Sequence, residues 1–157
     1  MRVSLNILTS KEKKFVVNQL SSQFGLSDKT FLNDFMILKN NKHRLFLTTS
    51  NEKDKKFRIP RLEKAGMYFA TINKDSTIRL SLEGTQLIGQ TATEYILKLD
   101  PKQAENWLKG FDFDFEKVED GYYLLKYNED FLGCGLIRNN KMFNFLPKTR
   151  RLKNFYD

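Results

Sequence analysis

The residue types that most often carry out covalent chemistry are scarce in this sequence, which contains one cysteine, Cys134, and one histidine, His43. A thiolate activated by an imidazole would be a nucleophile. However, Cys134 lies between Gly133 and Gly135 in a predicted strand, where a small buried thiol is the usual finding. His43 lies in a predicted hairpin turn, where histidine is usually a polar surface residue. We therefore predict that the pair is not catalytic.

Other catalytic equipment is also missing from the sequence. A zinc site needs about four ligands, which one cysteine and one histidine do not supply. Neither a GxGxxG nor a Walker loop occurs to hold phosphates. Asp112 and Asp114 share one side of a predicted strand, so a paired role in acid–base catalysis stays open. The alternating pattern instead favours two solvated residues on an edge strand. We predict a protein that is not an enzyme and needs no metal or cofactor.

The charge of the chain favours a polyanionic partner. The 157 residues include 27 Lys and Arg against 19 Asp and Glu, for a net charge of +8 and a pI near 9.5. Nucleic acid is expected before a membrane, because the sequence lacks a lipidation motif and an apolar run of the roughly 20 residues that span a bilayer. The first residues do not read as a signal peptide, and one cysteine fits a reducing compartment, so we expect a cytoplasmic protein.

The charge is distributed unevenly, and this suggests two modules. Residues 1–72 hold 14 Lys and Arg against 6 Asp and Glu, whereas residues 73–157 hold 13 of each. Residues 100–130 are acidic and residues 138–153 are basic. We predict a basic N-terminal α/β module over residues 1–72 and a second, dipolar domain over residues 73–157.

Local patterns predict an α+β fold that is mainly β. A capping box, Thr9 with Glu12, begins a helix that ends at Gly25, with Phe15, Val16, Leu20 and Phe24 on its buried side. Asp100 and Pro101 begin another helix, which ends before Gly110. A short helix is predicted at residues 83–89, and a helical turn at 61–64 after the charged loop 51–58. Strands are predicted at residues 35–39, 44–48, 67–72, 77–82, 95–99, 111–115, 122–127, 131–138 and 141–146.

The last three strands form a predicted meander that is followed by a basic tail. Asn139 and Asn140 favour a type I′ hairpin, because asparagine tolerates positive φ. A basic β surface that carries aromatic rings can bind RNA through phosphate contacts and base stacking. The candidate phosphate contacts are Lys126, Arg138, Lys148, Arg150, Arg151 and Lys153, and the candidate stacking groups are Tyr122, Tyr123, Tyr127 and Phe155. Gly133 and Gly135 either let RNA backbone approach closely or mark a bulge or bend in the sheet.

This C-terminal pattern resembles the PUA-like RNA-binding domain attached to the Sun/Fmu family of RNA cytosine-5 methyltransferases. The matching motifs are Gly121-Tyr122, Leu132-Gly133-Cys134-Gly135, and Asn144-Phe145-Leu146-Pro147-Lys148 with Arg150 and Arg151; residues 79–89 and 107–110 are also similar. The resemblance covers residues 73–157. It implies a PUA pseudo-barrel that binds structured RNA, such as rRNA or tRNA, but not methylation. The whole chain resembles small archaeal proteins that pair such a domain with an N-terminal α/β module, and these are grouped with ribosome biogenesis.

Two functions remain open at this point. The first is a non-catalytic RNA-binding protein acting in ribosome biogenesis or RNA modification. The second is a protein-interaction adaptor in such a complex, in which the acidic residues 112–120 and the basic N-terminal module contact different partners. The sequence leaves the oligomeric state, the particular RNA and the protein partners undetermined.

Overall fold

The computed structural model describes residues 4–49 and 66–153. The predicted charged loop 51–58, the helical turn 61–64 and the stacking candidate Phe155 lie outside these described residues. None of the helices in the described ranges is long and apolar enough to cross a membrane.

The first half of the chain forms a five-stranded antiparallel sheet, in which the strands neighbour one another in chain order. Its strands are β1 (Leu5–Ile7), β2 (Phe35–Asn40), β3 (Arg44–Thr49), β4 (Met67–Ile72) and β5 (Ile78–Leu80). Four of the strand predictions fall on β2, β3, β4 and β5, and β5 is shorter than the predicted strand 77–82. β1 is new, because three residues that are mostly exposed carry no alternation that a sequence pattern can detect.

Helix α1 (Ser10–Phe24) covers this sheet and is capped as predicted. Thr9 and Glu12 exchange both capping-box hydrogen bonds, and Gly25 adopts the left-handed conformation with φ of 59°. Val16, Leu20 and Phe24 are spaced four residues apart and are fully buried. Phe15 was also expected on the buried side, but it is 47% exposed, because it lies about 100° around the helix from Val16.

The second sheet has the order β6-β8-β9-β10-β7, with β6 parallel to β8 and the remaining pairs antiparallel. Its strands are β6 (Ile96–Lys98), β7 (Phe113–Asp114), β8 (Gly121–Tyr127), β9 (Asp130–Arg138) and β10 (Lys141–Phe143). Asn139 and Asn140 have φ of 52° and 62°, as a type I′ turn requires. β10 ends earlier than predicted, because the backbone N–H of Asn144 bonds to the Asp112 carboxylate instead of a neighbouring strand.

The two faces of the second sheet pack against different partners. Leu124 and Cys134 are paired across β8 and β9, and they share a core with α1 and the first sheet. The opposite face packs on helix α3 (Pro101–Leu108), whose Trp107 is 1% exposed. Helix α2 (Leu82–Gly89) contacts β4, β5 and β9, and so lies between the two sheets.

The fold is therefore α+β and mainly β, as predicted. One ladder joins the two predicted modules, because β4 on one side of residue 72 pairs with β5 on the other. The buried core that includes Leu20 and Leu124 also contains residues from both predicted modules. The division of the chain at residue 72 stays a prediction.

Candidate nucleic-acid interface

Two cavities, each lined by residues from both sheets, lie where the sheets meet. The larger cavity has a volume of about 750 Å³ and includes Tyr95 and Arg138. The smaller one, of about 450 Å³, includes Arg79 and Phe145. We call them the Tyr95 cavity and the Arg79 cavity, and together they form the seam groove. They follow one another along the chain, since Thr77 lines the first cavity and Arg79 lines the second.

Arginine and aromatic side chains are paired in the Arg79 cavity. The guanidinium carbon of Arg79 lies 4.4 Å from the centroid of the Phe145 ring, and that of Arg44 lies 5.7 Å from the Tyr68 ring. Arg44 and Tyr68 belong to the first sheet, whereas Phe145 follows the second. Phe145 is 39% exposed. Arginine over an aromatic face is a favourable arrangement, and Arg44 and Phe145 are the exposed members of the two pairs.

The basic tail forms one wall of the same cavity. A single 3₁₀ turn, Lys148–Arg150, follows Pro147, and it brings Arg150 into an ion pair with Glu83 at the start of α2. Lys148 and Lys153 are exposed. At the surface such a pair contributes little to stability, and both of its side chains remain exposed to solvent.

Arg151 has a different role from the rest of the tail. Its Nε donates a hydrogen bond to the Leu146 carbonyl at 3.0 Å, and its side chain lies against Gly110. Beside it, the Leu152 N–H bonds to the Leu108 carbonyl at the end of α3. Arg151 therefore fastens the tail to the domain, and its contact with phosphate stays a prediction.

Two further predicted cations lie at opposite ends of the second sheet. Arg138 is exposed, lines the Tyr95 cavity and is paired across β9 and β10 with Lys141, another exposed cation. Lys126 is half-buried, with its Nζ 5.3 Å from the Phe131 ring and 3.8 Å from Glu129. Arg138 therefore joins the seam groove, whereas Lys126 lines neither of its cavities.

The Trp107 indole packs directly on Gly133 and Gly135, which leaves no room for a side chain at either position. A Cβ atom on Gly133 would approach the indole to 2.9 Å, and one on Gly135 would meet Trp107 at 3.1 Å and also overlap the Met142 sulfur. The Trp107 Nε1–H donates to the Leu132 carbonyl at 2.8 Å, which fixes the ring. Both glycines are buried against Trp107, and Gly133 lines the Arg79 cavity beside that ring, so close approach of RNA backbone to them stays a prediction.

Cys134 and Asp112, the candidates for nucleophilic and acid–base chemistry, have surroundings that give each of them a structural role. Cys134 is 3% exposed, and burial raises the pKa of its thiol to about 12, so no thiolate forms near neutral pH. The Asp112 carboxylate accepts the Asn144 backbone N–H at 2.8 Å. Within residues 4–49 and 66–153, no three His, Cys, Asp or Glu side chains cluster as a metal site would require.

Of the aromatic groups that the sequence singled out, Tyr122 lines the groove, whereas Tyr123 and Tyr127 do not. Tyr123 is buried and donates its hydroxyl proton to the Glu119 carbonyl. Tyr122 is half-buried and lines the Tyr95 cavity, and Tyr127 packs on the Trp107 core. The rings of Tyr68, Tyr95 and Phe145 in the groove were missed, because they lie in separate parts of the chain and share no spacing pattern.

The architecture of two sheets with intervening helices matches a known structural class. A crystal structure of a PUA domain from Aeropyrum pernix K1, solved as a tartrate complex, superimposes with a TM-score of 0.52. The match covers 86% of this chain and 72% of that chain at 13% sequence identity. At this identity the likeness concerns the fold alone, and it establishes a PUA-like fold.

The sequence then places part of the chain in a narrower group. Residues 94–152 match the family described as the Methyltransferase RsmF PUA domain. The chain thus carries a PUA-like domain of the Sun/Fmu type, which confirms the resemblance seen in the sequence. The matched region begins after residues 79–89, so the upstream part of the predicted resemblance lies outside it. No curated protein sequence matches the chain.

Proposed function

We propose that this protein binds structured RNA along the seam groove. The observation that carries the proposal is the convergence of arginine and aromatic pairs from both sheets, Arg44 with Tyr68 and Arg79 with Phe145, on one cavity. Cations supply phosphate contacts, and exposed rings supply stacking for unpaired bases. The PUA-like domain adds support, because PUA domains in general bind RNA and the matching family is described as the PUA domain of a methyltransferase.

The contacts divide between the modules in this proposal. Arg44 lies in the N-terminal sheet, Arg79 lies in the seam, and Lys148 and Arg150 lie in the tail. The N-terminal module therefore contributes directly to the interface. This arrangement suits an RNA that is wide enough to contact both sheets, such as a helix with an adjoining loop or end.

We further propose that the RNA is an rRNA or tRNA, and that the protein acts without catalysis, in the cytoplasm, in ribosome biogenesis or RNA modification. The buried Cys134 and the structural role of Asp112 are consistent with a binding protein. Proteins of the same assembly or modification pathway are possible additional partners.

Sequencing the RNA that copurifies with the full chain identifies the ligand, and its affinity is then measured by fluorescence anisotropy over a salt series. We expect log Kd to rise linearly with log salt, with a slope of about 0.9 for each neutralised phosphate of a duplex. Arg44→Ala and Arg79→Ala should each reduce that slope by about one phosphate.

Lys102→Ala is the matched control for these variants. Lys102 is exposed on α3, which packs on the face of the second sheet that is turned away from the first. The substitution removes one positive charge, as each arginine variant does, without altering the groove. The salt slope of Lys102→Ala should therefore equal that of the unmodified protein. If all three variants lose the same affinity, binding depends on net charge and the groove is not the interface. The absence of RNA retention would instead favour the protein-interaction adaptor.

A further inference from the structure

We infer that the Tyr95 cavity holds one unpaired nucleotide of the bound RNA, with its base against Tyr95. This inference rests on the proposed RNA-binding function and extends it to a particular subsite. The cavity volume of about 750 Å³ is in the range of sites that enclose small organic ligands. Arg138 and Lys74 are exposed at this cavity and would contact the phosphates on either side of the nucleotide.

The backbone conformation of Tyr95 is unusual, and it supports a binding site at this cavity. Its φ is 58°, in the left-handed region that bulky residues rarely occupy. The neighbouring backbone holds it there, because the Glu94 N–H bonds to the Phe24 carbonyl at 3.0 Å and the Tyr95 carbonyl accepts the Leu124 N–H at 2.8 Å. Strained residues persist where the surroundings fix them, and they concentrate at binding sites.

The strain leaves an aromatic ring exposed at the cavity. Tyr95 is 39% exposed, and its ring centroid lies 5.2 Å from that of the buried Tyr123. Gly121 lies beside the ring, since a Cβ atom there would be 4.0 Å from a Tyr95 ring carbon. An exposed ring that is supported by a second ring is a suitable stacking platform for a base.

The polar groups of the cavity favour a base over a phosphate. Two carboxylates, Asp75 and Asp120, balance the charges of Lys74 and Arg138. Each carboxylate uses its Oδ1 atom locally, on Thr77 or on the Asn139 N–H, and its Oδ2 atom makes no hydrogen bond within residues 4–49 and 66–153. Because these four charges balance, the cavity does not favour an anion inside it, and its free acceptors suit the N–H groups of a base edge.

Guanine is the best match for this set of groups. Its pairing edge offers two adjacent donors, N1–H and the 2-amino group, to a carboxylate that only accepts. The same edge carries the O6 acceptor, and the Tyr122 hydroxyl is available as a donor, because it accepts from Asn73 and donates to no group among the described residues. Uracil presents one N–H between two carbonyl groups and would leave the carboxylates poorly matched.

The test uses three hairpin RNAs of one sequence, which carry no bulge, a single bulged guanosine or a single bulged uridine. We expect the guanosine bulge to bind about tenfold tighter than the paired hairpin, because each stacked base typically adds five- to 150-fold, with the uridine bulge in between. Tyr95→Asn should remove most of this gain, since asparagine tolerates the same φ but offers no ring. Tyr95→Phe should retain it.

Asp120→Asn tests the polar contacts separately, because it keeps the Oδ1 acceptor for Asn139 and replaces the other oxygen with a donor. We expect it to reduce the preference for guanosine over uridine. Equal affinity for all three hairpins would overturn the nucleotide subsite, and so would a bulge effect that survives Tyr95→Asn. Neither result would contradict RNA binding along the seam groove. A failure of every hairpin to bind would overturn the proposed function as well.

Discussion

Replacing Phe145 by alanine separates base stacking from charge in the seam groove. The ring is 39% exposed and lies 4.4 Å from the Arg79 guanidinium carbon. The backbone around it is held independently, because the Asn144 side chain donates to the Trp107 carbonyl and the Leu146 N–H bonds to the Asn144 side chain. The substitution should therefore remove the ring and leave the path of the chain unchanged.

Two magnitudes follow from this geometry. Full burial of a phenylalanine contributes roughly 1.5–3 kcal/mol, so a ring that is about three-fifths covered should cost about 1–2 kcal/mol of stability. Loss of one stacked base costs about 1–3 kcal/mol of binding, which is about five- to 150-fold in Kd. Phe145→Ala should leave the salt slope unchanged, whereas Arg79→Ala should lower it by about 0.9.

The assay is fluorescence anisotropy with the copurified RNA over a salt series, at a temperature where thermal unfolding shows each variant to be folded. Phe145→Tyr restores an aromatic face and should restore affinity, and Phe145→Leu restores bulk without a π face and should not. If Phe145→Leu binds as well as Phe145→Tyr, the ring does not act by stacking. If Phe145→Ala lowers the salt slope as much as Arg79→Ala, the ring acts only by positioning the cation.

Three further predictions concern Gly135, Cys134 and Arg151, each of which packs or bonds within the domain. Gly135→Ala should destabilise the fold by about 1–3 kcal/mol in urea unfolding, because its Cβ would overlap the Met142 sulfur, with the RNA affinity of the folded fraction unchanged. Burial raises the pKa of Cys134 from 9.0 to about 12. Between these pH values the native state retains a proton that the unfolded chain releases. The free energy of unfolding should therefore fall by about 1.4 kcal/mol per pH unit over this range. Cys134→Ala should flatten that alkaline decline. Arg151→Ala should lower the melting temperature without changing the salt slope of RNA binding, since Arg151 bonds to the Leu146 carbonyl; a reduced slope would return Arg151 to the interface.

Much of the local structure could be predicted because its signals are short-range. Thr9 and Glu12 fix the start of α1 through bonds to the adjacent backbone, and Asp100 does the same for α3. Asn139 and Asn140 set the β9–β10 turn by tolerating positive φ. Each of these signals acts over four residues or fewer, so the sequence carries it in full.

The candidate site was predicted only in part. Arg138, Lys148 and Arg150 could be selected as cations in a basic stretch, and all three are exposed. The sequence could not separate them from Arg151, because the hydrogen bond of Arg151 to the Leu146 carbonyl depends on how the tail folds back. Nor could it indicate that Trp107, more than twenty residues away, occupies the surface of Gly133.

The sequence by itself determined the net charge of +8 of the chain, its many phenylalanines and a C-terminal motif of the PUA type. Tertiary structure decided which of these groups meet. Arg44, Arg79 and Phe145 are separated by 35 and 66 positions in the chain, and pairing of β4 with β5 and packing of α2 on β9 bring them to one cavity. Such long-range proximity leaves no spacing in the sequence, because it depends on the registers and packing of elements that lie far apart in the chain.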